Sequence, residues 1–287
     1  MPRKKNYLLT TALLIAAAVL VSVPAGAQAP LKILVSNDDG ADAPGIAALA
    51  EALSRVGTVT VAAPSQSRSG VSHGMTFSGP ILVQKTAKNG MTWYAIDALP
   101  ATCVQLGLEA LLPEKPDIVV SGINRGKNTG LGAFYSATVA CAREAAFQGI
   151  PAIAFSLESS PKMDYAAAAD FIVSIVREVK KRGLRRGTYL NINIPALPKE
   201  RIKGVMVTRL DERPSLESYE GKTNAEGQII FWPLYKELGA GDPKADIWAL
   251  RNGYISVTPM IIDQTDGADL NGLKNWESLT WKGRSRP

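Results

Sequence analysis

Cysteine is scarce in this chain. Its 287 residues include only two cysteines, Cys103 and Cys141. In an oxidising compartment the two thiols could pair, but both fall in segments with a helical pattern, where a small buried cysteine is the commoner state. The sequence therefore favours two free thiols over a disulfide.

Long runs of lysine and arginine are missing beyond the N-terminus. The formal net charge is +6, and removal of Arg3, Lys4 and Lys5 with the first 27 residues lowers it to +3. A basic stripe for duplex nucleic acid is therefore not expected, although a modest positive charge favours small anions. Internal repeats, coiled-coil heptads and low-complexity tracts are also absent. A chain of this length is enough for one large α/β domain with an extension.

The first 27 residues have the layout of a secretory signal peptide. Basic residues precede an apolar stretch from Tyr7 to Val23, and Ala25-Gly-Ala27 fits the small-x-small cleavage rule. This stretch of 17 residues lies at the lower limit for spanning a bilayer, so an uncleaved membrane anchor is the less favoured alternative. We expect cleavage before Gln28, with cleavage before Pro30 as a second option, and export to a bacterial periplasm without stable membrane anchoring.

Short apolar runs alternate with segments of helical spacing along most of the chain. Strands are predicted from Leu31, Thr58, Asp117, Pro151 and Tyr189, and helices over 44–56, 137–148 and 165–181. This alternation predicts a doubly wound α/β fold with a mostly parallel sheet and right-handed crossovers. Residues 75–96 are expected to form a pair of extended strands. We expect an α/β catalytic domain over 28–211 and a β-rich extension over 212–287, without clear helices before residue 260.

Two adjacent carboxylates, Asp38 and Asp39, follow the first apolar run. In an open α/β sheet, ligands bind beyond the carboxyl ends of the parallel strands. Two carboxylates this close repel each other, and a hard cation such as Mg²⁺ or Mn²⁺ turns that repulsion into binding. The alternative is that Asn37-Asp-Asp-Gly40 is only a turn, because these residue types are common turn formers.

A second polar loop, residues 65–74, contains the only histidine, His73. A histidine on a polar, glycine-rich loop is a candidate general acid or base, although a lone histidine is more often structural. Gly70-Val-Ser-His-Gly74 also matches the Gly-x-Ser-x-Gly elbow of serine hydrolases, with Ser72 as the nucleophile. That elbow requires a strand before the serine, a helix after it and a histidine late in the chain, so a serine esterase is a minor alternative.

A third polar loop, residues 121–132, runs through Tyr135-Ser-Ala-Thr138 into a predicted helix. Ser136, Thr138 and the free N–H groups at the helix start are candidates to hold a phosphate, and simple N-capping explains them equally well. The loop is not a Walker A sequence, because the spacing from Gly122 to Lys127 is too short and Asn128 stands where serine or threonine is required. The three polar loops are expected to converge at one edge of the sheet.

Several of these segments together resemble the stationary-phase survival protein SurE family of metal-dependent nucleotidases. The resemblance covers the mature chain almost end to end and rests on residues 33–40, 44–45, 63–70, 73, 100–101, 103–104, 121–126, 128, 135–136, 138–139, 191–195 and 253–259.

The resemblance implies which residues form the site. Asp38, Asp39, Ser69 and Asn124 would hold one divalent ion per subunit, Mg²⁺ or Mn²⁺. Asn37, Asn128, Ser136 and Thr138 would orient the phosphate, and His73 would be a candidate proton donor to the leaving oxygen. The implied reaction is hydrolysis of nucleoside 5′-monophosphates to nucleoside and phosphate, with 3′-monophosphates as a second candidate substrate class. A periplasmic protein that binds a phosphorylated ligand without turnover is the non-enzymatic alternative.

Two positions depart from the family pattern. Where relatives typically have Gly-Thr-Pro-Ala-Asp-Cys, this chain has Thr102 in place of the aspartate, and Ala137 replaces the glycine of Tyr-Ser-Gly-Thr. These changes leave the implied metal ligands intact. They could alter base recognition or the geometry of the phosphate loop, so substrate preference is less defined than reaction type. By the same resemblance, the C-terminal arm returns to the core and exchanges between subunits, which implies a homodimer or homotetramer.

Overall fold

A computed structural model describes residues 30–239 and 241–279. Its main feature is a nine-stranded sheet in the order β3-β4-β2-β1-β5-β6-β7-β11-β8, accompanied by a separate ribbon of β9 and β10. The strands are β1 (Leu31–Ser36), β2 (Gly57–Pro64), β3 (Val83–Lys88), β4 (Met91–Ile96), β5 (Ile118–Arg125), β6 (Ala152–Leu157), β7 (Thr188–Ile194), β8 (Gly204–Val207), β9 (Leu216–Thr223), β10 (Ile229–Tyr235) and β11 (Tyr254–Ile261). The helices are α1 (Pro44–Ser54), α2 (Pro100–Leu106), α3 (Gly132–Tyr135), α4 (Ala137–Phe147), α5 (Tyr165–Arg182), α6 (Asp246–Arg251) and α7 (Asp269–Gly272).

The central strands are parallel, as the alternating pattern predicts. β4, β2, β1, β5, β6 and β7 pair in parallel, whereas β3 pairs antiparallel with β4 and β11 pairs antiparallel with β7. Parallel strands are covered on both faces, which explains why β1 and β6 are nearly continuous apolar runs. The predicted doubly wound α/β class is confirmed.

Helices cover both faces of the sheet and produce three layers. One buried cluster joins α1 and α5 to one face of the sheet, and a second joins α2 and α4 to the other face. Cys103 and Cys141 are buried free thiols in the second cluster, as their helical context suggested. Because buried apolar side chains pack against both faces of the sheet, the strand ends are held in a fixed arrangement.

The pair of strands expected within residues 75–96 is confirmed, since β3 and β4 pair antiparallel, but it begins at Val83 and not at residue 75. The region before residue 260 also contains a helix, α6, which the sequence pattern did not indicate. This six-residue helix is too short for a clear period, and tertiary hydrogen bonds to its first residue hold it in place.

The chain after residue 211 contributes to two bodies of structure. β9 and β10 form the exposed ribbon, whereas α6 and β11 return to the main sheet, where β11 lies between β7 and β8. The domain boundary at residue 211 stays a prediction, and the structure separates only the ribbon from the sheet. In residues 30–239 and 241–279, no helix is long and apolar enough to cross a membrane.

Candidate active site

The two adjacent carboxylates lie directly beyond the carboxyl end of β1, which is flanked in parallel by β2 and β5. Asn37 shapes the turn that presents them. Its side-chain amide donates to the carbonyl of Gly40 at 2.9 Å, and its Oδ1 accepts from the Gly40 N–H at 3.2 Å. Gly40 has a φ of +107°, a conformation that favours glycine. The Asn-Asp-Asp-Gly sequence is thus a turn and also a carrier of the two acids.

Asp38 is almost entirely buried, with 3% of its surface exposed. Thr138, in the first turn of α4, donates its hydroxyl to Oδ1 of Asp38. Burial raises the pKa of Asp38 from 3.8 to about 6, the neighbouring Asp39 contributes to the increase, and the Thr138 hydrogen bond opposes it. An anionic Asp38 therefore requires a compensating positive charge close by.

Asp39 is partly buried, and it accepts a hydrogen bond from the backbone N–H of Arg125 at 3.2 Å through Oδ2. Burial raises the pKa of Asp39 as well, while that hydrogen bond and the Arg125 charge counteract the increase. The bond connects the loop after β1 to the end of β5. Two adjacent acids therefore both have a raised pKa, which indicates a site suited to binding a cation.

Ser69 and Asn124 come to the same place from the neighbouring loops. The backbone N–H of Arg68 donates to the carbonyl of Asp38 at 2.8 Å, and the Ser69 hydroxyl is close enough to lower the pKa of Asp38 by hydrogen bonding. Asn124 donates its amide N–H to the carbonyl of Gly126 at 2.8 Å, which leaves its Oδ1 available as a ligand. The predicted convergence of the three loops is confirmed.

The donor set fits a hard divalent cation. It consists of oxygen atoms from two carboxylates, a hydroxyl and an amide, which are the ligands that Mg²⁺ and Mn²⁺ prefer. Clusters of three or more histidine, cysteine, aspartate or glutamate side chains do not occur in the described part of the chain, so a nitrogen- or sulfur-rich metal site is not present there. Because Thr138 occupies only one oxygen of Asp38, the other oxygen is available to an ion.

The predicted phosphate contacts have partners within the protein. Ser136 is the N-cap of α4, and its Oγ accepts from the N–H of Val139 at 3.1 Å, so its hydroxyl hydrogen remains available to an anion. Asn128 donates its amide to Ser156 Oγ at 2.9 Å, and its carbonyl accepts from Asn191. Asn128 therefore fastens the third loop to the sheet, and Asn37 and Thr138 support the two acids in a similar way. Direct contact of these residues with phosphate stays a prediction.

His73 lies against α4, where each of its ring nitrogens has a partner. Its Nε2 is 2.9 Å from Oε2 of Glu144, and Arg143 Nε donates to its Nδ1 at 2.8 Å. Glu144 is six residues beyond Thr138 on the same helix, which corresponds to about 9 Å along the helix axis. Both ring nitrogens are therefore engaged by side chains of α4, and the role of His73 as a proton donor stays a prediction.

Ser72 has a position unlike that of a hydrolase nucleophile. It lies in a segment without helix or strand, and its hydroxyl donates to the carbonyl of Phe134 at 2.6 Å. Its N–H donates to the carbonyl of Tyr135 at 3.1 Å. The adjacent His73 is hydrogen-bonded to α4, and in the described part of the chain the Ser72 hydroxyl has a backbone carbonyl as its partner and not a base. The match to the serine elbow is therefore a coincidence of sequence.

The two departures from the family pattern have structural explanations. Thr102 is buried, and its Oγ1 accepts from the N–H of Thr76 at 2.8 Å, while Thr76 in turn accepts from the N–H of Leu99 at 3.1 Å. An oxygen acceptor is thus retained at position 102. Ala137 is fully buried at the start of α4, and its φ is not positive, so glycine is not required there.

Three charged residues of the site region were missed in the sequence. Arg143 and Glu144 form an adjacent charged pair in an otherwise apolar helix, a signal that could have indicated a buried polar contact. Asp246 is fully buried and accepts from the backbone N–H groups of Gly130, Asp211 and Ile247 at 2.8–3.0 Å. It had no local sequence signal, because two of its three partners, Gly130 and Asp211, lie far away in the chain.

Comparison with known proteins agrees with this geometry. A family model described as "Survival protein SurE" matches residues 33–217. "5'-nucleotidase SurE" of Geobacter sulfurreducens is 44% identical over 253 residues, covering 86% of this chain and 94% of the relative. The protein of the same description from Alkalilimnicola ehrlichii is 44% identical over 259 residues, covering 90% and 98%.

A solved structure supports the same assignment. The crystal structure of the SurE protein from Aquifex aeolicus superposes with a TM-score of 0.78 at 39% identity, covering 85% of this chain and 99% of that chain. The resemblance first noted in separate motifs thus extends over the whole fold. The chain belongs to the SurE family.

Proposed function

We propose that this protein is a metal-dependent phosphomonoesterase that hydrolyses nucleoside 5′-monophosphates to nucleoside and phosphate, with 3′-monophosphates as a second candidate substrate class. The observation that carries the proposal is the pair of adjacent acids, the buried Asp38 and the partly buried Asp39, joined by Ser69 and Asn124 at one edge of the sheet. The nucleotidase descriptions of its relatives agree with this chemistry.

Asp38, Asp39, Ser69 and Asn124 would hold one Mg²⁺ or Mn²⁺ per subunit. The ion would supply positive charge to stabilise the transferring phosphoryl group. The chain's own contribution is to hold the ligands before binding: Thr138 orients Asp38, the backbone of Arg125 orients Asp39, and Gly126 orients Asn124. Such supporting hydrogen bonds keep the ligands in place and reduce reorganisation during the reaction.

The start of α4 is the best-placed part of the chain to receive the phosphate. This helix has 11 residues, and it begins beside Asp38 because Thr138 contacts that carboxylate. Free N–H groups and the helix dipole attract anions at a helix start, and the Ser136 hydroxyl hydrogen adds a further donor. Buried acids with an anion-binding helix start beside them suit a phosphate ester whose charge is shared with a cation.

The two alternatives are less well supported. A serine esterase would need a base beside Ser72, whose hydroxyl instead donates to a backbone carbonyl. A binding protein without turnover would be compatible with the anion-binding features alone. It is not supported by relatives that are described as nucleotidases.

Export to the periplasm is part of the proposal, supported by the signal-peptide layout of residues 1–27. These residues lie outside the described part of the chain. In that compartment the enzyme would act on nucleotides that enter from outside the cell.

A homodimer or homotetramer is also proposed. The ribbon of β9 and β10 exposes several large apolar side chains, and the segment after β11 exposes Leu270, Leu273, Trp276 and Leu279. Contiguous exposed apolar surface of this kind marks interfaces in soluble proteins.

Phosphate release from AMP, GMP and 3′-AMP by residues 28–287 tests the activity. We expect release with Mn²⁺ or Mg²⁺, none with EDTA, and at least a 100-fold loss of kcat in Asp39→Asn, because the remaining ligands cannot hold the ion in place. The matched control is Asp42→Asn, which removes an exposed carboxylate three residues away that pairs with Lys88. Release that is indifferent to EDTA would overturn the metal mechanism, and metal binding without release would favour a binding protein.

A further inference from the structure

The loop between β2 and β3, residues 65–82, carries Ser69 but contains no helix or strand of its own. The start of the loop is held by a hydrogen bond from the Arg68 N–H to the carbonyl of Asp38. Its later part is held by a hydrogen bond from the Thr76 N–H to Oγ1 of Thr102. Between these points, the loop is fastened to α3 and α4 through Ser72 and His73. The conformation of Ser69 therefore depends on contacts that lie outside the metal site.

The His73 contact is chemically specific. Arginine can only donate, so the bond from Arg143 Nε requires an unprotonated Nδ1 on His73. The single ring proton is then on Nε2, where it is donated to Glu144. Arg143 and Glu144 are 9% and 5% exposed, so both buried charges depend on this neutral imidazole as a partner.

The surrounding groups support the same arrangement. The ring of Phe147 packs against the imidazole at 5.3 Å between centroids, and burial raises the pKa of Tyr189 on β7 while the nearby charge of Arg143 opposes that increase. Arg143 thus lies between α4 and β7, and His73 joins the loop to that side chain. A loop attached in this way is held to the same helix that carries Thr138.

We infer that His73, Arg143 and Glu144 form a clamp that positions the Ser69 loop and thereby sets the affinity of the site for its divalent ion. His73 is then a positioning residue and does not transfer a proton to the leaving group. The inference rests on the proposed metal site. Residues that orient metal ligands typically change metal affinity by 10- to 100-fold when they are removed.

Mn²⁺ binding measured by isothermal titration calorimetry tests the clamp without relying on turnover. We expect His73→Ala to weaken Mn²⁺ binding about 10-fold or more, and His73→Gln to stay within about 3-fold, because glutamine carries both a donor and an acceptor. Phe147→Ala is the matched control, since it removes a ring contact but keeps both hydrogen bonds. If His73→Ala does not fold, His73→Phe replaces it, because phenylalanine fills the ring volume without either hydrogen bond.

Kinetics at saturating Mn²⁺ separate positioning from proton donation. A proton donor matters for the poor leaving group of AMP and hardly at all for p-nitrophenyl phosphate. If His73 acts only by positioning the loop, we expect His73→Gln to keep the wild-type kcat for both AMP and p-nitrophenyl phosphate. Wild-type Mn²⁺ affinity in His73→Ala or His73→Phe would overturn the inference, as would a loss of kcat on AMP alone in His73→Gln. If Mn²⁺ binding depends on the clamp but the wild-type protein releases no phosphate, the inference would hold and the nucleotidase proposal would be rejected.

Discussion

The hydroxyl of Thr138 donates to the carboxylate of Asp38, so the first turn of α4 holds one of the two acids at the end of β1. The two residues are 100 positions apart in the chain, and the contact is completely buried. A helix start that attracts anions is thereby fixed next to a carboxylate pair that attracts a cation.

This contact predicts the behaviour of Thr138→Val, a change of similar volume that removes the hydroxyl. Without its donor, Asp38 is oriented less well and its pKa rises further, so we expect Mn²⁺ binding at pH 7 to weaken about 10-fold. Thr138→Ser restores the hydroxyl and is expected to restore the affinity. Calorimetric titration of the three proteins measures the effect, and equal affinities would show that the hydrogen bond does not support the site.

Asp38 also predicts how the stability of the metal-free protein varies with pH. Its pKa is 3.8 in the unfolded chain and about 6 in the fold, so the stability is greatest below pH 3.8 and is lost as the pH rises through about 6. This difference between the two pKa values corresponds to a loss of about 3 kcal/mol in the free energy of unfolding once Asp38 is ionised in both the folded and the unfolded state. Asp38→Asn removes the loss, so it should stabilise the metal-free protein while abolishing metal binding.

Urea unfolding in EDTA at pH 5 and pH 8 measures this effect. The gain from Asp38→Asn should be larger at pH 8 by about 1 kcal/mol, because the unfolded carboxyl is already largely ionised at pH 5. Asp42→Asn, whose carboxylate is exposed, serves as the control. A stability gain of the same size at pH 5 and pH 8 would contradict the raised pKa of Asp38.

Asp246 is expected to be essential for stability rather than chemistry. Asp246→Ala leaves three backbone N–H groups without their acceptor, those of Gly130, Asp211 and Ile247. We expect a decrease of about 3 kcal/mol in the free energy of unfolding, measured by urea denaturation. Asp246→Asn keeps one carbonyl oxygen and should lose less. Glu226→Ala, at an exposed turn of the ribbon, is the control and should change stability by less than about 0.5 kcal/mol.

Thr102 is predicted to act through Thr76 and not through base recognition. Thr102→Val removes the acceptor for the Thr76 N–H, so we expect a loss of about 1–2 kcal/mol in unfolding free energy. The ranking of AMP, GMP and 3′-AMP by kcat/KM should remain unchanged, and Thr102→Ser should restore the stability. A changed ranking in folded Thr102→Val would instead assign substrate selection to this position.

The elements that build the site could be recognised from local pattern. The apolar run before Asp38, the helical spacing after Pro44 and the polar loops after β2 and β5 depend on neighbours in the chain, so they can be read without tertiary contacts. Parallel pairing then brings the strand ends to one edge, which is why the three polar loops are expected to converge there. The choice of Ser69 and Asn124 as partners of the two acids came from the family resemblance and not from the pattern.

The partners of individual side chains were decided by tertiary packing. Asn128 turns towards β6 because Ser156 offers it a buried hydrogen bond, and His73 turns towards α4 because two buried charges require a neutral partner. Asp246 and α6 return to the sheet through backbone donors more than 30 positions away. Hydrogen-bonding residues satisfy whichever group the fold places beside them, so residue type alone predicts a polar role but does not reveal the partner.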